Sequence, residues 1–310
     1  MSLSESQKAF EELVSRMSSH DLPNFYQWIQ STYLTSDSLD DRPTEAYVTL
    51  NRIANDIKLM VPMSGVIPSE PMTFPTLGQN SDCNALNTIS LDAFLYDDLD
   101  IEDMTDEGLL ERYYCCDCLS RNIQSLNLIS HSASKKRVEF IYNGLLKDID
   151  FSNKTILDIG SRLGSILYGA YVYTNCKHII GVEMNEELCL IQNKIIEKYQ
   201  MNDRINVICN DISSLPQIVR SADIIVMNNV FEFFLNDSKQ TDCWMFLYNH
   251  IKSDTYLITV PTLEDSLNHL SQVTIDLSKW VSKVDIKDSV LSTSKADHEE
   301  MSDICLYRII

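Results

Sequence analysis

The sequence predicts an α/β protein: a doubly wound, mostly parallel sheet with a C-terminal antiparallel edge, preceded by a mainly helical N-terminal region. Three observations carry that expectation. From Lys154 onward, short apolar runs alternate with helical segments at a regular pitch, as strand–helix–strand units require. Those runs are largely apolar rather than alternating, as strands covered on both faces must be. Upstream, residues 1–60 carry apolar side chains at helical spacing.

A chain of 310 residues has room for two modest regions. We place a helical N-terminal region at 1–120, with an irregular linker near 62–100, and the sheet domain at 121–310. In the first, Ser4 is placed to cap a helix bearing Phe10, Leu13, Val14 and Met17. The stretch LPNFYQWIQSTYL is a second helix, and Pro43 suits the first turn of a third that carries Tyr47, Leu50, Ile53, Ile57 and Met60. Such stripes are core faces rather than ligand boxes. Four prolines between Pro62 and Asp82 break the pattern. An acidic stretch from Asp92 to Glu111, free of Lys and Arg, reads as a solvated face, with Thr105 capping a helix.

Cys115, Cys116 and Cys118 follow. A structural zinc site wants a second ligand pair; only His131 lies nearby, so buried thiols are expected and no metal. Lys135, Lys136 and Arg137 then open an amphipathic helix with Val138, Ile141 and Leu145 on one face. This basic cluster reads as a solvated turn, with contact to an acidic substrate as the lesser alternative. In the sheet domain, TILDIG, HIIGVE, INVICND, ADIIVMNN and TYLITVP are five strands. DICLYRII and a segment near WVSKVDI supply the antiparallel edge.

Composition bounds the function. With 44 % apolar residues the chain can bury a core. A net charge of -20 argues against sequence-independent nucleic-acid binding, which rests on Lys and Arg neutralising phosphates. A polar N-terminus, no long apolar run and nine cysteines fit an intracellular protein, cytoplasmic or nuclear, without membrane contact.

In a doubly wound sheet, ligands lie beyond the carboxyl ends of the strands. The first strand ends in Asp158-Ile159-Gly160-Ser161-Arg162-Leu163-Gly164. Glycine permits positive φ and close backbone approach, and the helix start behind it offers free N–H groups to a carboxylate. The second strand ends at Glu183, placed for two ribose hydroxyls. The third ends before Asp211-Ile212, whose acid suits an adenine amino group or, more plainly, a helix cap. The fourth ends in Asn228-Asn229-Val230-Phe231-Glu232.

Taken in order, this constellation resembles the class I S-adenosylmethionine-dependent methyltransferases over roughly residues 130–265. The resemblance implies S-adenosyl-L-methionine as cofactor. Asp158, Gly160 and Gly164 would hold its methionine side, Glu183 the ribose, Asp211 and Ile212 the adenine, and Asn228 a further contact. Asn228, Asn229 and Glu232 would orient the methyl acceptor. Arg162 departs from the family, which usually has glycine there. A local resemblance to the non-SET histone-lysine methyltransferases, carried by DIGSRLGSILYGAYVYTNCKHIIGVE and MNNVFEFF, leans the acceptor towards a protein side chain. A small molecule stays open and nucleic acid is disfavoured. The competing reading is a catalytically silent module that keeps the fold for cofactor binding or protein contact. A nicotinamide oxidoreductase is disfavoured because Arg162 and Ser165 interrupt G-x-G-x-x-G.

Overall fold

The computed structural model describes residues 3–18, 21–29, 44–75, 80–117, 123–284 and 301–310. In chain order the helices are α1 (Leu3–Ser15), α2 (Leu22–Ile29), α3 (Glu45–Lys58), α4 (Asp98–Asp106), α5 (Lys135–Glu139), α6 (Ser165–Tyr173), α7 (Glu186–Lys198), α8 (Pro216–Ser221), α9 (Asp237–His250), α10 (Leu263–Asn268) and α11 (Leu277–Trp280). The strands are β1 (Thr88–Ser90), β2 (Tyr113–Cys115), β3 (Ile123–Ser125), β4 (Asn127–Ile129), β5 (Thr155–Ile159), β6 (His178–Glu183), β7 (Ile205–Cys209), β8 (Ile224–Asn228), β9 (Tyr256–Val260), β10 (Val281–Lys283) and β11 (Cys305–Ile309).

The chain divides into two compact units, Met1–Val48 and Thr49–Ile310. In the first, the rings of Phe10 on α1 and Phe25 on α2 stack with centroids 6.2 Å apart. The second unit is built on a seven-stranded sheet in the order β10-β11-β9-β8-β5-β6-β7. β5 through β9 run parallel, whereas β11 is antiparallel to β9 and β10 to β11. The mixed α/β architecture, with its antiparallel edge and helical N-terminal region, is the one the sequence predicts.

Strand alternation sorts the core into two faces. Ile156, Ile224, Val226 and Ile258 point to one, where α6 and α7 contribute Leu167, Leu188 and Ile195. Leu157, Ile159, Ile225, Met227 and Leu257 point to the other, against Trp244 and Leu247 of α9. The first face also takes in Leu50, Ile53 and Ile57 of α3 together with Phe94 and Leu95. Each such side chain contributes roughly 1.5–3 kcal/mol on leaving water.

Several local expectations are corrected. α1 begins at Leu3, so Ser4 lies inside it. Pro43, Leu34 and Cys118 lie outside the described residues. α3 starts after Thr44, whose hydroxyl accepts from the Tyr47 N–H at 3.1 Å. The acidic helix α4 is capped by Asp97, not Thr105. Asp97 and Asp100 form a reciprocal capping box, while the Thr105 hydroxyl donates back to the Ile101 carbonyl. Cys115 and Cys116 are exposed rather than buried; Cys115 ends β2, which pairs antiparallel with β3 in a separate two-stranded sheet. The basic cluster is solvated only at Lys136, which stays exposed. Lys135 is buried and donates to Asn51 and Asp97, and Arg137 Nη2 donates to both carboxylate oxygens of Asp303. The helix that Lys135 opens continues past Glu139 as a π-helical stretch, Phe140–Leu145.

Candidate cofactor site

The strand order reverses at β5, which lies between β6 and β8; a ligand crevice opens at such a switch point. Here a cavity of about 580 Å³ lies beyond the carboxyl ends of β5 to β8, within the size range of small-molecule sites. Gly160, Glu183, Asp211, Ile212, Asn228 and Asn229 all line it.

The turn after β5 is held by its neighbours. Gly160 has φ +72, and a Cβ there would come within 2.9 Å of Val230 Cγ1. Arg162, at φ 47, occupies a conformation that costs a non-glycine residue of order 1–3 kcal/mol. Its N–H donates to Glu183 Oε2 at 2.9 Å, and Asn185 N–H donates to Oε1 at 2.8 Å. Glu183 is thus aimed by two backbone amides, with acceptor capacity left for hydroxyls. Burial raises its pKa, opposed by those two amide bonds.

Asp158 and Gly164 are not cavity-lining residues. Asp158 is buried beneath the turn, and burial, then the Glu183 charge, pushes its pKa well above the usual carboxylate range. Gly164, φ +86, serves packing: an added Cβ would sit 2.6 Å from Cζ of Tyr168. Asp211 combines both readings of its sequence position. It lines the cavity, and its Oδ1 accepts from Ser213 N–H at 2.8 Å as the cap of a short 3₁₀ turn. Asn229 adopts φ 50, a conformation asparagine tolerates better than most residues. Glu232 is turned elsewhere: it accepts from Asn80 Nδ2 at 3.1 Å and lines a separate, much smaller cavity.

Sequence reasoning missed the upstream wall. Ser69, Glu70 and Pro71 line the same cavity. Asn185 Nδ2 donates to Ser69 Oγ at 3.2 Å, and Thr73 N–H donates to the Phe233 carbonyl at 2.9 Å. Residues 69–73 therefore run from the mouth of β6 to that of β8, across β5. Arg162 fixes this strap. Its guanidinium pairs with Glu70 through two bonds (2.8 and 3.1 Å), with Asp92 (2.8 Å), and with the Gly65 carbonyl. A side chain in place of the usual glycine is thereby drawn away from the turn. The available signal was the arginine itself, since a buried guanidinium demands carboxylates somewhere in the chain. His131 also lines the cavity.

These residues suit S-adenosylmethionine. The aimed carboxylate of Glu183 lines the cavity, and the buried Asn228 Oδ1 lacks a hydrogen-bond partner. Residues 157–258 match the protein family described as methyltransferase domain. That match runs from within β5 through β8 to the first residues of β9. The chain is 25 % identical over 129 residues to a carboxy-S-adenosyl-L-methionine synthase of Pseudoalteromonas atlantica, covering 41 % of this chain and 51 % of that protein. The chain thus spans about half the length of the curated relative it matches. Similar solved structures include an RNA methyltransferase from Salinibacter ruber in complex with S-adenosyl-L-homocysteine (14 % identity, 57 % of this chain and 91 % of that chain, TM-score 0.37). Another is a methyltransferase from Geobacter sulfurreducens (14 % identity, 58 % and 80 %, TM-score 0.37). Among the described residues no helix is long and apolar enough to cross a membrane.

Proposed function

We propose that this protein transfers the methyl group of S-adenosylmethionine to a protein side chain or small molecule, and not to nucleic acid. The observation that carries the acceptor class is the sign of the cavity wall. Glu70, Glu183, Asp211 and Asp242 line it; of the cations there, Arg162 is committed to its two carboxylates and Lys239 is the other. Such a wall repels a phosphate backbone.

Bound cofactor supplies an electrophilic methyl group on a sulfonium. The protein's part is to place and desolvate the two reactants. Glu183 accepts from the ribose hydroxyls and Asp211 from the adenine amino group, beside Ile212. Gly160 lets the backbone approach the methionine moiety; Asp158 supports the turn from beneath and Gly164 shapes it. Asn228 and Asn229 face the acceptor, and Glu232 acts through Asn80 and the loop after β8 rather than on the reacting atoms. We further propose that the division near residue 120, between a helical N-terminal region at 1–120 and a cofactor domain at 121–310, is one of role, with residues 69–71 of the first confining the acceptor. The wall contributed by Glu70 and Pro71 supports this.

The test is transfer of labelled methyl groups into cell lysate, afterwards separated into protein, nucleic acid and small molecules. Label in the protein or small-molecule fraction is expected. Label mainly in RNA or DNA overturns the acceptor class, and label in none of the three favours a silent cofactor-binding module.

A further inference from the structure

We propose that His131 binds the methyl acceptor, its imidazole exchanging a hydrogen bond with a neutral N–H or O–H group of that molecule. The inference rests on the methyl-transfer reading above and adds to it a substrate class and a residue outside the cofactor motifs.

His131 is 4 % exposed and forms part of the cavity wall. Neither Nδ1 nor Nε2 has a hydrogen-bond partner. A buried polar atom left unpaired is costly, so each such atom in a native fold calls for a use. The residues on either side are spent. Ser130 Oγ accepts from Ala93 N–H at 2.8 Å and donates to the Ser132 carbonyl at 2.9 Å. Ser132 Oγ donates to Asp92 Oδ2 at 2.6 Å, on the carboxylate that holds Arg162. The backbone is pinned on both sides of a ring whose own polar atoms are unused.

The ring is also fixed in place. Phe233 and Phe234 meet it edge-on at centroid distances of 5.0 and 5.1 Å. Both belong to the loop after β8, beside Asn228 and Asn229, where the acceptor is placed. Asn229 Nδ2 reaches the Ser130 carbonyl at 3.5 Å, so the two segments adjoin. Phe234 lines the cavity with His131.

The electrostatics select the ligand. Burial, and then the Arg162 charge, push the His131 pKa down to about 3. The imidazole is therefore neutral at physiological pH and offers one acceptor nitrogen and one N–H. A ring that resists protonation is a poor counter-ion for a phosphate and no partner for a second buried charge. It suits a neutral nucleophile such as an amide, an uncharged amine or a hydroxyl.

The test uses full-length protein with ¹⁵N-labelled histidine, alone and with S-adenosylhomocysteine. It is titrated with acetamide, a neutral N–H donor, and with N,N-dimethylacetamide, which lacks the N–H. The unprotonated ring nitrogen of His131 is expected to shift with acetamide and stay in place with dimethylacetamide. His131→Phe, which removes two unpaired buried atoms, should lose that signal, melt no lower than the parent, and bind S-adenosylhomocysteine within about twofold of it. His131→Asn serves the same comparison if the Phe variant does not fold. An unmoved nitrogen, or equal shifts with both amides, overturns the proposal. So does a fall in melting temperature of more than about 5 °C in both variants, which means that the ring holds structure. Absence of S-adenosylhomocysteine binding to the parent protein instead defeats the methyl-transfer reading, and the amide titration of the free protein still reads His131.

Discussion

At the scale of single residues, Arg162 and Glu183 define the site between them. Arg162 is 5 % exposed, and its pairing with Glu70 and Asp92 overcomes its own desolvation, so its pKa rises rather than falls. Removing one partner of such a buried cluster leaves uncompensated charge, typically costing about 3–5 kcal/mol. Arg162→Ala is therefore expected to lower thermal stability sharply in a melting experiment, and Arg162→Lys to recover little, since an ammonium cannot reproduce the forked contact with Glu70. Glu183→Ala makes a different prediction. It removes the acceptor we propose for two ribose hydroxyls, each bond to a charged group being worth about 1.5–3 kcal/mol. Calorimetric affinity for S-adenosylmethionine should fall about tenfold or more. An unchanged dissociation constant in the folded variant defeats the ribose assignment.

At the scale of elements, β5 and β6 each carry a buried carboxylate near the carboxyl end of the strand. Asp158 sits in β5 on the face shared with Ile156, and burial raises its pKa, as it does that of Glu183. A carboxylate with a raised folded-state pKa contributes stability at low pH, fully present below its unfolded pKa. That contribution is lost as pH rises through the folded value. Asp158→Asn should thus raise the melting temperature more at pH 8 than at pH 5. If Asp158 ionises to face the cofactor's ammonium, binding releases a proton and tightens with pH. Calorimetry of S-adenosylhomocysteine in buffers of different ionisation enthalpy checks this; no proton release places Asp158 outside the binding equilibrium. In α4, Asp97→Ala removes the capping box and should cost about 0.5–2 kcal/mol in denaturant unfolding.

At the scale of the whole molecule, the cofactor fold and the segments before it are interdependent within the second unit. α3 and residues 94–95 complete the same core face as α6 and α7, and Arg162 draws its partners from Gly65, Glu70 and Asp92. A chain starting at Thr44 keeps the α3 cap and every one of these contacts. It should fold and bind S-adenosylhomocysteine. A chain starting near Ser120 loses the three partners and exposes one apolar face, and should be recovered only as aggregate. A soluble, cofactor-binding protein from the shorter chain would show that the upstream wall is dispensable.

The sequence by itself determined the sheet. β5, β6, β8 and β9 are local apolar runs, and burial of a strand on both faces is written into consecutive residues, whereas β7, at the sheet edge, is only partly covered. It also determined the acids at the strand ends, since position at a carboxyl end follows from strand boundaries alone. Only the tertiary structure decided which of those acids face the cavity: Glu183 and Asp211 do, whereas Asp158 faces the core and Glu232 faces Asn80. It alone decided what Arg162 does. Its partners lie 70, 92 and 97 residues away in the chain, and no local periodicity encodes a pairing at that distance. For His131 the sequence offered a lone histidine between two serines. That both serines are hydrogen-bonded while the ring between them is not depends on Asp92, Ala93 and Phe233, which only folding brings to it.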